Sequence, residues 1–272
     1  MILATALATA ALLAPAPAAS VVAVGDVASC RSQGDEATAA VAAKLPGTIA
    51  LLGDVVYESG TDAEFARCFG PSWGRLKGRI RPAPGNHEYG TGGAAGYFRY
   101  FGRAAGDPSR GYYAYRLGEW QVVVLNTNCS RAGGCGVGSP QERWLRGVLS
   151  ASRSRCTLAY GHHPRLSSGF HGPDRSIQPL WRALQDARVE LYLAGHDHHY
   201  ERFDPSLGLR QLVVGTGGRS HYPAIRRVGG SRARWAGGYG VLTLTLRGDA
   251  YDWRFVPVAG ETYVDAGSGS CR

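Results

Sequence analysis

Lysine is nearly absent from this chain of 272 residues, with Lys44 and Lys77 the only two. The net charge of +9 therefore rests on arginine. These arginines are scattered, and no run of them interleaves with aromatic residues. That pattern argues against a nucleic-acid partner and for a solvated basic surface that attracts small anionic substrates. There is no Gly-x-Ser-x-Gly elbow and no P-loop, so serine-based hydrolysis and nucleotide-driven chemistry have no support. No cysteine pair has metal-finger spacing, and neither an internal repeat nor a linker interrupts the chain.

What is present is enough for one sizeable core: the chain is 44% apolar, which predicts a single domain over 20–272. Residues 1–19, MILATALATAALLAPAPAA, carry no charged side chain and end in a small-residue series. They read as a signal peptide cleaved near Ala18 or Ala19, hence a secreted protein without a membrane span in its mature form. The missing Lys or Arg at the start leaves an uncleaved anchor as the alternative. The even set Cys30, Cys68, Cys129, Cys135, Cys156 and Cys271 predicts disulfides in such a compartment. Cys129 and Cys135 flank a glycine-rich stretch able to fold back. Cys30 with Cys68 is expected because both follow strand-end motifs, and Cys156 with Cys271 would tie down the tail.

Short β-branched runs recur at 21–24, 48–52, 120–126, 156–160, 189–194, 211–215 and 241–246. Helical patterns lie between several of them, at 35–47, 139–149 and 177–187. The second opens with Ser139 as N-cap, Pro140 in the first turn and Glu142 completing a capping box. Continuous apolar strands alternating with helices predict α/β layers with strands covered on both faces. The segment AYDWRFVPV predicts an antiparallel edge partner for VLTLTL.

Asp26 follows VVAVG, Asp54 follows TIALLG, His162 and His163 follow CTLAYG, and His196 and His198 follow VELYLAG. Ligands of open α/β sheets bind outside the carboxyl ends of the strands, so four strands deliver carboxylates and imidazoles to one edge. Taken singly, each residue has a plainer reading: Asp after Gly is a common turn element, Tyr57 a packing aromatic, His171 a loop histidine. Independent turns do not explain the joint arrival. Asp26, Asp54, Tyr57, Asn86, His162, His196 and His198 mix hard oxygen with imidazole nitrogen, a set suited to zinc, iron or manganese. Seven ligands exceed one tetrahedral ion but serve two ions if a carboxylate bridges them. Between the histidines Asp197 reads as a spacer, and His199 as a residue behind the ligands or facing solvent.

The ordered motifs GD (25–26), GDxxY (53–57), GNHE (85–88), HxP (162–164) and GHxH (195–198) resemble the calcineurin-like metallophosphoesterases, and within them the purple acid phosphatases and bacterial secreted members. Most of that superfamily has histidine where this chain has Ala28, and purple acid phosphatases use the tyrosine matched by Tyr57 instead. The resemblance implies an αββα sandwich of two mixed sheets flanked by helices. It implies two metal ions, iron with zinc, manganese or a second iron. Asp26, Asp54, Tyr57 and His198 would hold one; Asp54, Asn86, His162 and His196 the other. His171-Gly172-Pro173 is similar to a substrate-contacting segment of the mammalian-type enzymes, and His87 is the other candidate for catalysis. The activity implied is hydrolysis of a small phosphate monoester by in-line attack of metal-bound hydroxide, with His87 or His171 protonating the leaving group. A phosphodiesterase acting on nucleotides or lipid headgroups, and a non-enzymatic anion-binding surface protein, are the alternatives.

Overall fold

Short strands made almost wholly of Val, Leu, Ile and Ala have no polar face to offer water, so each sheet must be covered on both sides. The computed structural model describes residues 17–272; the first sixteen residues of the expected signal peptide lie outside them. In chain order the strands are β1 (Ala19–Val24), β2 (Ala28–Ser29), β3 (Thr48–Leu52), β4 (Val56–Tyr57), β5 (Ile80–Ala83), β6 (Tyr113–Leu117), β7 (Trp120–Val124) and β8 (Thr157–Tyr160). They continue with β9 (Leu191–Ala194), β10 (Tyr200–Phe203), β11 (Arg210–Val214), β12 (Ser231–Trp235), β13 (Gly240–Leu246), β14 (Ala250–Pro257) and β15 (Ala266–Ser270). The α-helices are α1 (Gly34–Lys44), α2 (Asp62–Glu64), α3 (Ala95–Phe101), α4 (Pro140–Ala151) and α5 (Gln178–Asp186).

Two mixed sheets result. The first has the order β15-β14-β13-β1-β3-β5, and the second β12-β10-β11-β9-β8-β7-β6. β1, β3 and β5 are mutually parallel, as are β7, β8, β9 and β11, so their carboxyl ends point the same way within each sheet. Side-chain alternation then sorts the layers. Val122, Val124, Leu158, Tyr160, Leu191 and Leu193 share one core with the first sheet. Their neighbours Val123, Ala159, Tyr192 and Ala194 pack instead with Leu145 of α4 and Leu180 and Leu184 of α5. α1 covers the first sheet beside β13. This is the expected α/β sandwich of two sheets flanked by helices.

Two local expectations need correction. Ser139 Oγ accepts the Glu142 N–H at 3.3 Å, but the Glu142 carboxylate accepts from Gly138 N rather than Ser139 N, so only half of the capping box forms. β14 pairs antiparallel with β13 as predicted but is not an edge, because β15 pairs outside it. All three disulfides join the cysteines expected, Cys30 to Cys68, Cys129 to Cys135 and Cys156 to Cys271. The last ties the start of β8 in one sheet to the residue after β15 in the other.

Candidate metal centre

The two sheets meet where β1, β3, β5, β8 and β9 end. Gly25 N–H at the end of β1 donates to Val214 O of β11 at 2.9 Å, and Asp26 N–H donates to Gly53 O at 3.1 Å. The glycines permit contact no side chain would allow. A Cβ on Gly53 would lie 2.6 Å from the His162 ring, and one on Gly85 2.1 Å from the Asp54 carboxylate. The residues that follow are forced into unusual backbone: Asp26, Asp54 and His196 all have positive φ, at 60°, 46° and 71°. Such conformations carry strain and cluster where function requires a fixed direction.

Both aspartates are buried and divide their oxygens in the same manner. Asp26 Oδ2 accepts His196 N–H at 2.8 Å, leaving Oδ1 against Tyr57 Oη (2.9 Å) and His198 Nε2 (3.3 Å). Asp54 Oδ1 accepts His87 N–H at 2.9 Å, leaving Oδ2 against Tyr57 Oη (3.1 Å) and His162 Nε2 (3.2 Å). His162 Nε2 also lies 3.0 Å from Asn86 Oδ1 and 3.2 Å from His196 Nδ1, and His198 Nε2 3.2 Å from Tyr57 Oη. All seven expected ligands thus converge, with Asp54 between an Asp26–Tyr57–His198 group and an Asn86–His162–His196 group.

Hydrogen bonds fix which ring nitrogen is free. The Leu52 carbonyl, which can only accept, takes the His162 Nδ1 proton at 2.9 Å, so Nε2 faces the Asp54 carboxylate and is the nitrogen that would bind a metal ion taking the place of its proton. His163 differs. The Thr127 hydroxyl accepts both the His162 and His163 N–H groups and so gives its own proton to His163 Nδ1 at 2.8 Å, placing the ring proton on Nε2. His163 nevertheless has a nitrogen within 4.8 Å of its counterparts in His162 and His196.

The electrostatics ask for positive charge. Among the described residues neither Asp26 nor Asp54 pairs with Lys or Arg; their ionic partners are His198, His87 and His162. Burial alone would lower the His162 pKa, but the Asp54 carboxylate outweighs it and raises the value to about 9. Burial likewise opposes Asp54 ionisation, and His162 and His87 reverse the effect, holding its pKa well below the usual range. Burial, reinforced by His162 and His163, pushes His196 far down, so it is neutral with a lone pair to give. Two buried carboxylates, three imidazoles, an amide oxygen and a phenol are a hard-oxygen and nitrogen donor set that fits a pair of first-row metal ions.

The remaining predicted residues sit at the mouth, a pocket of about 170 Å³. His87 Nδ1 donates to Glu58 O at 2.6 Å, which turns Nε2 inward. The His171 ring lies 4.3 Å from that of His196, and its Nε2 is 3.5 Å from Tyr222 Oη. Asp197 is no spacer. It is fully buried and its carboxylate accepts from Ser167 Oγ, His171 N (2.8 Å) and Gly172 N (3.1 Å), so it carries the loop that presents His171. His199 does not face solvent: it is fully buried and pairs with Glu201 at 3.1 Å.

A model of the calcineurin-like phosphoesterase family matches residues 19–200. The chain belongs to that family. An uncharacterised protein of Mycobacterium tuberculosis is 31% identical over 168 residues, 54% of this chain and 31% of that protein. Rat (Rattus norvegicus) tartrate-resistant acid phosphatase type 5 is 35% identical over 83 residues, 30% of this chain and 25% of that enzyme. The matches cover less than a third of these relatives' lengths. A purple acid phosphatase from yellow lupin seeds superposes with a TM-score of 0.79 at 16% identity, over 93% of this chain and 54% of that one. GAP50, the anchor in the inner membrane complex of Plasmodium, shares the fold at 0.75 and 14% identity, over 94% and 90%.

Glu58, Arg219, Ser220 and Tyr222, which complete the pocket wall, are not among the residues expected from the sequence. Ser220 Oγ bonds His198 Nδ1 at 2.8 Å, Arg219 bonds Glu58 at 2.8 Å with its guanidinium 5.2 Å from the Tyr57 ring, and Tyr222 stacks on His198 at 4.3 Å. The available signal was QLVVG at 211–215, another strand ending in glycine, four residues before Arg219. Glu88 was quoted only as part of a motif. Its buried carboxylate accepts Val55, Val56 and Gly85 N–H, clamping two ligand-bearing loops together, and burial with the Asp54 charge raises its pKa to about 7.

Proposed function

We propose that this chain is a secreted phosphomonoesterase that binds two metal ions at Asp26, Asp54, Tyr57, Asn86, His162, His196 and His198. Asp54 would serve both ions, and iron with zinc, manganese or a second iron would fill the pair. The supporting observation is Asp54 Oδ2, buried within about 3.2 Å of both Tyr57 Oη and His162 Nε2 with no Lys or Arg among the described residues to neutralise it. When bound, two such ions supply an activated water and neutralise charge on the phosphoryl oxygens. The chain's own residues do the rest. Asn86 and the strained strand ends fix the donor directions, Arg219, paired with Glu58, sets a guanidinium at the mouth, and His87 and His171 stand where a departing alkoxide needs a proton. Three disulfides accord with an oxidising compartment.

The test is hydrolysis of 4-nitrophenyl phosphate and bis(4-nitrophenyl) phosphate by metal-loaded and chelated protein. Preference for the monoester, lost on chelation and restored by metal, is the expected result. Diester preference would move the assignment to a phosphodiesterase, and hydrolysis of neither would remove the enzymatic reading. N-terminal sequencing of exported protein should begin at Ala19 or Ser20.

A further inference from the structure

Beside the metal pocket lies a cleft of about 440 Å³, within the range of small-molecule sites, roughly 300–1,000 Å³. Sequence neighbours form the wall between them: His198 and Tyr222 line the pocket, His199 and Pro223 the cleft. Arg226, Arg227 and Arg234 line it as well. Nearby arginines have counter-charges, Arg219 in Glu58 and Arg232 in Asp204, but these three pair with no carboxylate among the described residues. Arg226 donates to the Gly169 and Phe170 carbonyls and Arg234 to the Arg226 carbonyl, contacts that orient guanidinium groups without neutralising them. One further group is unsatisfied. Fully buried His199 donates Nε2–H to Glu201, which leaves Nδ1 an acceptor without a partner among the described residues. A buried polar atom of this kind is normally met by water or a ligand. Trp235 stacks on Tyr263 at 5.2 Å and 1°, which holds the indole as a rigid wall.

We propose that this cleft receives a second anionic group of the substrate, so that the preferred substrates are small esters carrying another phosphate besides the one cleaved. This rests on the phosphomonoesterase reading. Three uncompensated guanidinium groups would concentrate a polyanion at the mouth and form charge-assisted hydrogen bonds to the distal phosphate. A singly phosphorylated substrate leaves them unused.

The experiment compares glucose 1,6-bisphosphate with glucose 6-phosphate on the metal-loaded enzyme and on an Arg227→Ala/Arg234→Ala variant. Arg226 is left in place because it holds the carbonyls next to His171. The wild type should favour the bisphosphate in kcat/KM. The variant should lose about tenfold on the bisphosphate, mainly through KM, with little change on the monophosphate, the low end for exposed charge-assisted contacts. Equal loss on both substrates, or no wild-type preference, overturns the proposal. If neither ester is hydrolysed, the phosphomonoesterase reading has failed, and calorimetry still decides the cleft. Unchanged affinity of the variant for glucose 1,6-bisphosphate overturns it, and weakened affinity supports a binding role alone.

Discussion

The floor and the rim of the pocket are built by different means. Floor residues Asp26, Asp54, Asn86, His162 and His196 stand at strand ends, where backbone N–H groups and close-packed glycines dictate their directions. At the rim, His171 stands on a loop tied down by side chains, the buried Asp197 carboxylate under 167–172 and the Arg226 guanidinium over Gly169 and Phe170, whereas Arg219 and Tyr222 are held by their own N–H groups, which donate to Asp26 O and His198 O. A floor fixed by the fold sets what chemistry is possible, and the His171 side of the rim, fixed by single side chains, is where substrate choice can change without disturbing the metals.

The sharpest separation comes from Asp54→Asn. It should strip metal and lower turnover at least about 1,000-fold, since both water activation and charge neutralisation depend on the ions, measured by metal analysis and steady-state kinetics. Retained metal and activity would erase the distinction. Asp197→Ala should leave metal content intact and cost about 10- to 100-fold in kcat/KM, the scale expected when a positioned group moves by about 1 Å. Metal loss there would mean that the rim supports the floor directly. His171→Ala should slow alkyl phosphates more than activated aryl phosphates, and equal slowing would deny proton donation.

The smallest effect concerns the root of the rim. α1 abuts Gly217 and Gly218, just before Arg219, and Thr38 Oγ1 bonds the Gly217 carbonyl. Its buried Asp35 has a pKa raised to about 7 by burial, with the Glu36 charge adding and the Ser72 hydrogen bond opposing. Because the folded value exceeds the unfolded 3.8, stability is full below about pH 4 and falls as pH climbs through about 7. Asp35→Asn should therefore raise the melting temperature by about 2–4 °C at pH 8 and change little at pH 4. An equal shift at both pH values would contradict this.

The same contrast explains what was legible in the sequence. Strand, glycine and polar residue recur as a local pattern at 24–26, 52–54, 160–162 and 194–196, because the close approach of two sheets demands all three together. The layered fold followed from those runs, but β6, β12 and β15 did not, since their half-exposed residues lack a continuous apolar signal, nor did the buried β10, where Glu201 and Arg202 interrupt it. The rim left no comparable trace. His196 and His198 drew attention away from Asp197, whose partners lie 25 to 30 residues distant. Arg219 and Tyr222 were passed over in a loop of Gly, aromatics and Arg with no periodicity.

Metal analysis with a visible spectrum, on the protein and on Tyr57→Phe, bears most directly on the floor. Two ions per chain are expected, with a visible phenolate-to-ferric band that Tyr57→Phe abolishes if one ion is ferric. A colourless, fully active protein with two other ions would remove iron while keeping the paired site. A folded, active protein holding one ion or none would contradict it.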